Sequence, residues 1–251
     1  MKISNNDLLR YSKQIILKEV GVLGQKKISS SRVLLVGMGG LGCPVAMYLS
    51  NLGIKNIGIA DYDKVDFSNL NRQILFNTKD IGKFKVTQAK KFLLKVNKQI
   101  KINAYKEKIV KNNIQNIISK YDIICDCSDN FNTRYLLNDF CLRNNKILIS
   151  AAINKFEAHI FNFNFSKNIP CYRCFMPEMP KEENKCDTEG ILPTVAGIAG
   201  TLQANEVVKS ILNKKNELVG SMIVFNALNL NFRKIKLTKN TNCIMACNNN
   251  D

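Results

Sequence analysis

A short apolar run, Arg32-Val33-Leu34-Leu35-Val36, passes directly into Gly37-Met38-Gly39-Gly40-Leu41-Gly42, and an apolar stretch at helical spacing follows to about Asn51. A second apolar run, Ile57-Gly58-Ile59-Ala60, then ends at Asp61. Strand, glycine-rich turn, helix and strand in that order make a βαβ unit, which few folds accommodate. Gly37, Gly39 and Gly42 answer three needs of such a turn: a tight reversal, close approach of backbone to a phosphate, and free N–H groups at a helix start. Asp61 stands about twenty residues on, where a carboxylate that bonds a ribose hydroxyl belongs. The pattern predicts a nucleotide and leaves open which one.

The alternation continues, with helices expected at about 83–97, 112–120 and 131–143 and strands at 100–105, 121–127 and 146–151. This predicts an α/β fold, a Rossmann-like core over about 30–151 with a mostly parallel sheet covered on both faces. Beyond it, 158–165 reads as a longer strand, 167–190 as a polar loop, 196–213 as a helix, and 221–226 and 230–237 as final strands. Residues 152–247 therefore extend the same sheet, and the chain is expected to be one domain over 1–251. Upstream, apolar residues at helical spacing (Leu8, Leu9, Ile15, Ile16) predict a helix that stops near Gly21 and Gly24.

The segment after Asp61 separates two nucleotide chemistries. A dehydrogenase would usually enter its next helix there. This chain instead has a polar loop, Asp61 to Gln73, with Asn69 and Arg72 as donors suited to a triphosphate and Lys85 opening the next helix. The strand Ile123-Ile124-Cys125-Asp126-Cys127 delivers Ser128-Asp129-Asn130 to the carboxyl edge of the sheet, where open α/β sheets bind ligands. A carboxylate such as Asp129 can hold Mg²⁺.

With 37 basic and 20 acidic residues the net charge is +17. The basic residues are spread along the chain and only seven are arginine, and few aromatics alternate with the lysines, so no nucleic-acid groove is expected. A basic surface favours an acidic protein partner. Neither a secretory signal nor a membrane span is legible, and an odd count of nine cysteines argues against a disulfide framework, so a cytoplasmic protein is expected. The single histidine, His159, falls in an alternating strand-like segment and reads as structural. Cys171-Tyr172-Arg173-Cys174 and Cys243-Ile244-Met245-Ala246-Cys247 supply two close thiol pairs that can close a tetrahedral Zn²⁺ site.

Arg10-Tyr11-Ser12-Lys13-Gln14-Ile15, the glycine turn, Asp61-Tyr62-Asp63, Ser68-Asn69-Leu70-Asn71-Arg72-Gln73 and Cys127-Ser128-Asp129-Asn130 together resemble the MoeB/ThiF/HesA family, the bacterial relatives of ubiquitin-activating enzymes. The likeness runs in order from about residue 8 to residue 247. It implies an adenylyltransferase that binds ATP and Mg²⁺ and activates the Gly-Gly tail of a ubiquitin-like sulfur-carrier protein, MoaD-like or ThiS-like, for molybdopterin or thiamine biosynthesis. By position it implies nucleotide contacts from Gly37, Gly39, Gly40, Gly42, Asp61, Ser68, Asn69, Leu70, Asn71, Arg72, Lys85, Asp129 and Asn130, with Asp61 on the ribose, Arg72 and Lys85 on phosphates, and Asp129 on Mg²⁺. It implies a homodimer in which Lys13, where the family usually has arginine, reaches the partner's site. Cys171, Cys174, Cys243 and Cys247 match the family's zinc cysteines, although three residues rather than two separate the last pair. Cys186 aligns with a loop cysteine that in ThiF-like proteins can bond covalently to the carrier, and a sulfurtransferase is a further partner. Competing readings are a nicotinamide oxidoreductase, adenylylation of a peptide C-terminus or a modified tRNA base, and a non-catalytic carrier-binding scaffold.

Overall fold

The computed structural model describes residues 3–180, 190–213 and 217–245. Its strands join one eight-stranded sheet in the order β3-β2-β1-β4-β5-β6-β7-β8, formed by β1 (Arg32–Val36), β2 (Asn56–Ala60), β3 (Lys101–Tyr105), β4 (Ile123–Asp126), β5 (Ile147–Asn154), β6 (Glu157–Asn164), β7 (Ser221–Asn226) and β8 (Asn231–Lys236). β1 to β5 pair in parallel, and β6, β7 and β8 are added antiparallel. In register, Val36 sits beside Ala60 on one side and Asp126 on the other. Three strands therefore end level, and the residues that follow them (Gly37, Asp61 and Cys127) start from one edge.

Parallel strands must be joined by crossovers, and those helices bury both faces of the sheet. Val33 and Leu35 face one apolar cluster with residues of α4 (Gly42–Asn51), α5 (Lys85–Val96) and the long Pro193–Ile211 helix. Leu34 and Val36 face the other, with α6 (Ile114–Ile118) and α7 (Phe131–Arg143). All four side chains are at most 4% exposed. Burying each aliphatic side chain of this size stabilises by roughly 1.5–3 kcal/mol. The continuous apolar run of β1 is what a strand covered on both faces requires.

Most expected core elements agree to within two residues, but the N-terminal segment differs. In place of one long helix there are α1 (Asn5–Arg10) and α2 (Ser12–Ile15), broken at Tyr11, and α3 (Gly21–Ser30) begins where the sequence predicts a stop. Gly21 adopts φ +57°, so it turns the chain into α3 instead of ending a helix. Tyr11 is 2% exposed, and its hydroxyl accepts from Asn97 Nδ2 at 3.2 Å. Pulling that side chain inward interrupts the helical period. β5 also runs three residues further than expected, because β6 pairs with it over its whole length, from Ile147–Asn164 to Asn154–Glu157. The long helix starts at Pro193 rather than 196; proline suits a first turn, where its missing N–H has no partner to lose. Among the described residues no helix is long and apolar enough to cross a membrane.

Candidate functional site

At the level edge of the sheet, the glycine turn has the conformation its sequence demands. Gly37 adopts φ +97°, and a Cβ there would stand 2.6 Å from the Cys127 carbonyl oxygen. A Cβ on Gly42 would stand 2.0 Å from the Gly37 carbonyl oxygen, so that glycine closes the turn rather than facing a ligand. Asp61 then ties the turn down: its Oδ2 accepts the Met38 N–H at 2.6 Å and its Oδ1 accepts the Asp63 N–H at 2.8 Å. Burial pushes its carboxyl pKa up, against the pull of nearby Lys85 and those two N–H groups. Among the described residues no side chain caps the N-terminus of α4, which leaves the positive end of its dipole facing the edge.

The polar loop after Asp61 folds on itself. Asp66 accepts the Ser68 N–H at 2.8 Å and its hydroxyl at 2.6 Å, while Asn69 Oδ1 accepts the Asp66 N–H at 3.2 Å. Arg72 is aimed by Nη1, which donates to Ser68 O at 2.9 Å and to Asn71 Oδ1 at 3.1 Å. Leu70 packs against the core and Asn71 is exposed. Lys85, 8% exposed at its side chain, donates to Asp63 Oδ2 at 2.9 Å. An ammonium carries three donors, so this bond leaves capacity for an anion.

The third wall follows β4. Asp126 is fully buried; its Oδ1 accepts the Ser128 N–H at 3.1 Å and hydroxyl at 2.5 Å, and its Oδ2 accepts the Ser150 hydroxyl at 2.7 Å. Gln203 Nε2, from the long helix, donates to the backbone oxygens of Asp126 at 2.8 Å and Ile149 at 2.9 Å. Asn130 caps α7 by accepting the Thr133 N–H at 2.9 Å, and Asp129 beside it is exposed.

These walls enclose a cleft of ≈ 930 Å³. Of the expected site residues, Gly37, Gly39, Gly40, Asp61, Ser68, Asn69, Arg72, Lys85, Asp129 and Asn130 line it, whereas Gly42, Leu70 and Asn71 support it from outside the lining. Lys13, exposed on α2, does not line it. Asp63, Arg134 and His159 line it without having been expected to. Asp63 sits within a motif that was legible, but its pairing with Lys85 joins positions 22 residues apart. His159 is on a strand as expected, but it faces the cleft, and burial lowers its pKa.

Cys171, Cys174 and Cys243 converge away from the cleft, with Sγ separations of 4.0 Å for Cys171–Cys174 and 3.8 Å for Cys171–Cys243. A tetrahedral metal with thiolate arms of about 2.3 Å places its sulfurs about 3.8 Å apart. The three thiols thus have the chemistry and spacing of a metal site and are too far apart for disulfides. Cys247, expected as the fourth ligand, and Cys186 lie outside the described residues. The adjoining helix α8 (Tyr172–Phe175) docks on α7: Arg173 pairs with Asp139 at 2.7 and 2.8 Å, and the Tyr172 N–H donates to Asn138 at 2.8 Å.

Residues 11–245 match the family described as the ThiF family. The chain is 41% identical to "Adenylyltransferase and sulfurtransferase MOCS3" of Culex quinquefasciatus over 99% of its own length and 57% of that protein, and 42% identical to the Xenopus laevis protein of the same name over 98% and 55%. It thus spans about half the length of these relatives. Among solved structures, E. coli MccB with ATP superposes with a TM-score of 0.82 at 25% identity, covering 96% of this chain and 75% of that one. E. coli MccB with MccA-N7isoASN gives 0.84 at 24% identity, covering 98% and 76%.

Proposed function

The chain belongs to the ThiF family, and from that premise we propose that it adenylylates the C-terminal glycine of a small ubiquitin-like sulfur-carrier protein, MoaD-like or ThiS-like, using ATP. The observation that carries this reading is the convergence in one cleft of the glycine turn, Asp61, Arg72, Lys85 and Asp129. A carboxylate nucleophile is already ionised at neutral pH, so the reaction needs no general base. What it needs is alignment of two anions that repel one another. One oxygen of the glycine carboxylate attacks the α-phosphorus; the bond from that phosphorus to the bridging oxygen breaks, and pyrophosphate leaves with the electron pair.

In this reading Asp61 takes the ribose, the turn at Gly39 and Gly40 takes phosphate oxygens on its N–H groups while Gly37 gives its own N–H to Ala60 O and lets the backbone turn, and Arg72 and Lys85 neutralise the developing charge. Asp61 and Asp63 are engaged by backbone N–H groups and by Lys85, whereas Asp129 is exposed in the cleft, which fits it best to hold Mg²⁺. Bound Mg²⁺ would polarise the phosphoryl oxygens. The thiols of Cys171, Cys174 and Cys243, with Cys247, are assigned to a closed structural zinc site. The exposure of Lys13 outside the cleft fits a homodimer in which it serves the partner's site.

The names of the relatives pair adenylyl with sulfur transfer, and the cleft accounts for the first. A second reading, adenylylation of a peptide C-terminus, is favoured by the fit to MccB, whose solved complexes include MccA. Both acceptors present a terminal carboxylate. ATP–pyrophosphate exchange with MoaD-like and ThiS-like carriers, each with and without its last glycine, and with a C-terminal peptide, decides between them. Exchange that depends on a carrier's last glycine supports the first reading; exchange with the peptide alone supports the second; exchange with none refutes both.

A further inference from the structure

Arg134, in the first turns of α7, is 4% exposed yet lines the cleft. Its Nη2 donates to the Ser128 carbonyl oxygen at 3.0 Å, its Nη1 donates to Ser150 Oγ at 3.0 Å, and Nη1 lies 3.6 Å from Asp126 Oδ2. Asp126 in turn receives the Ser128 N–H. Ser128 is thus gripped at both ends by opposite charges, its N–H by a carboxylate and its carbonyl by a guanidinium. That carbonyl belongs to the peptide leading into Asp129. From behind, the Tyr172 ring lies 5.7 Å from Arg134 Cζ.

Such an arrangement is a poor way to gain stability, because desolvating two charges offsets most of what their attraction returns, and an apolar pair of the same volume often does as well. It is a good way to fix a direction. The exposed Asp129 side chain has a long 3.3 Å contact from the Asn130 amide, so its aim is set chiefly by the backbone it stands on. We propose that Arg134 is a positioning residue for adenylyl transfer: by holding the Ser128–Asp129 peptide it aims the Asp129 carboxylate at the metal–phosphate centre, without itself binding the nucleotide. This inference rests on the assignment of Asp129 to Mg²⁺ made above. Losing a charge-assisted hydrogen bond, or moving a reacting group by about 1 Å, costs on the order of 10–100-fold.

The test uses Arg134→Lys, which keeps the buried charge opposite Asp126 but cannot span both acceptors, and the double variant Asp126→Asn/Arg134→Met, which removes both charges. Binding of a non-hydrolysable ATP analogue is measured calorimetrically with and without Mg²⁺, alongside melting temperature and the kcat and KM of pyrophosphate exchange. For both variants the expected result is Mg²⁺-free affinity within about twofold of the parent, a Mg²⁺ enhancement of binding about tenfold smaller, and kcat lowered about 10–100-fold with KM for ATP little changed. The inference is overturned if Arg134→Lys has the parental Mg²⁺ dependence and kcat, if Mg²⁺-free affinity falls equally, or if the parent's analogue binding is indifferent to Mg²⁺. Should the double variant fail to fold, Arg134→Lys decides alone. If the parent exchanges pyrophosphate with no acceptor, the proposed function fails, while the Mg²⁺ dependence of analogue binding still decides the role of Arg134.

Discussion

Replacing Gly39 and Gly42 separately by alanine asks two different things of one turn. At Gly42 the new methyl would stand 2.0 Å from the Gly37 carbonyl oxygen and 3.0 Å from its carbon. Both atoms are backbone of the same turn, so the chain must retreat by about 1 Å to reach even a tight contact, an overpacking worth about 3 kcal/mol. In a chain of this size that lowers the melting temperature by about 6–12 °C. At Gly39 the nearest atom to a new methyl is Gln73 Nε2 at 3.8 Å, an ordinary contact, and φ is not left-handed there. Stability should therefore stay within about 0.5 kcal/mol of the parent. The methyl would, however, occupy the space over the turn where a phosphate must come close to the backbone. Losing one charge-assisted hydrogen bond there costs about 1.5–3 kcal/mol, or about 10–150-fold in Kd. Thermal melts and calorimetric titration with a non-hydrolysable ATP analogue read the two effects separately. A Gly39→Ala protein that binds the analogue like the parent, or a Gly42→Ala protein that melts like it, would refute the assignment of these two glycines.

Arg72→Lys keeps the charge but cannot reproduce a fork held by Ser68 and Asn71, so exchange kcat/KM should fall at least about tenfold while the melt is unchanged. Burial raises the Asp61 pKa in the fold, so the folded chain binds that proton more tightly than the unfolded chain does. Its contribution to stability must then decrease as pH rises from the ordinary carboxylate value through the raised one. The stability of the parent minus that of Asp61→Asn, from urea titrations across that range, should decline and then level off; a rising difference would contradict the burial argument. Metal analysis should find about one zinc per chain, and chelation or Cys174→Ala should destabilise by several kcal/mol. Hydrogen exchange should speed up first in α8 and in α7, which carries its Asp139 and Asn138 contacts.

The glycine turn, Asp61 and the cations of the polar loop were legible because each falls in a short run of telling residue types, although Asp61 and Lys85 meet their partners Met38 and Asp63 across 23 and 22 positions. A Cβ at Gly42 collides with the Gly37 carbonyl oxygen of the same turn, and Gly37 itself takes a left-handed φ of +97°. β1 was legible in the same way, since an unbroken apolar run announces a strand with two buried faces. What escaped was held by contacts distant in sequence. The Arg134, Asp126 and Ser150 cluster joins α7, β4 and β5, and nothing within three or four residues of Arg134 marks it as buried. The N-terminal segment departs from its local helical period because Tyr11 is drawn toward Asn97, 86 positions away, and that packing overrides it. His159 lies on β6 as its alternating segment predicts, and that alternation says which residues share a face but not which face holds the cleft.

Cys171 and Cys243 lie 72 positions apart in sequence and 3.8 Å apart in space. With a metal between them they would close a ring of chain containing the long helix and the two outermost strands. In a chain-entropy account, removing that freedom from the unfolded ensemble is worth about 4 kcal/mol. β8 has β7 on one side and every one of its residues exposed, so its own ladder gives it little resistance to fraying. The ring changes the order of events on unfolding: the outer edge of the sheet would be tethered through the thiols to the α7–α8 junction, and peeling that edge would first require opening a clasp on the far side of the loop.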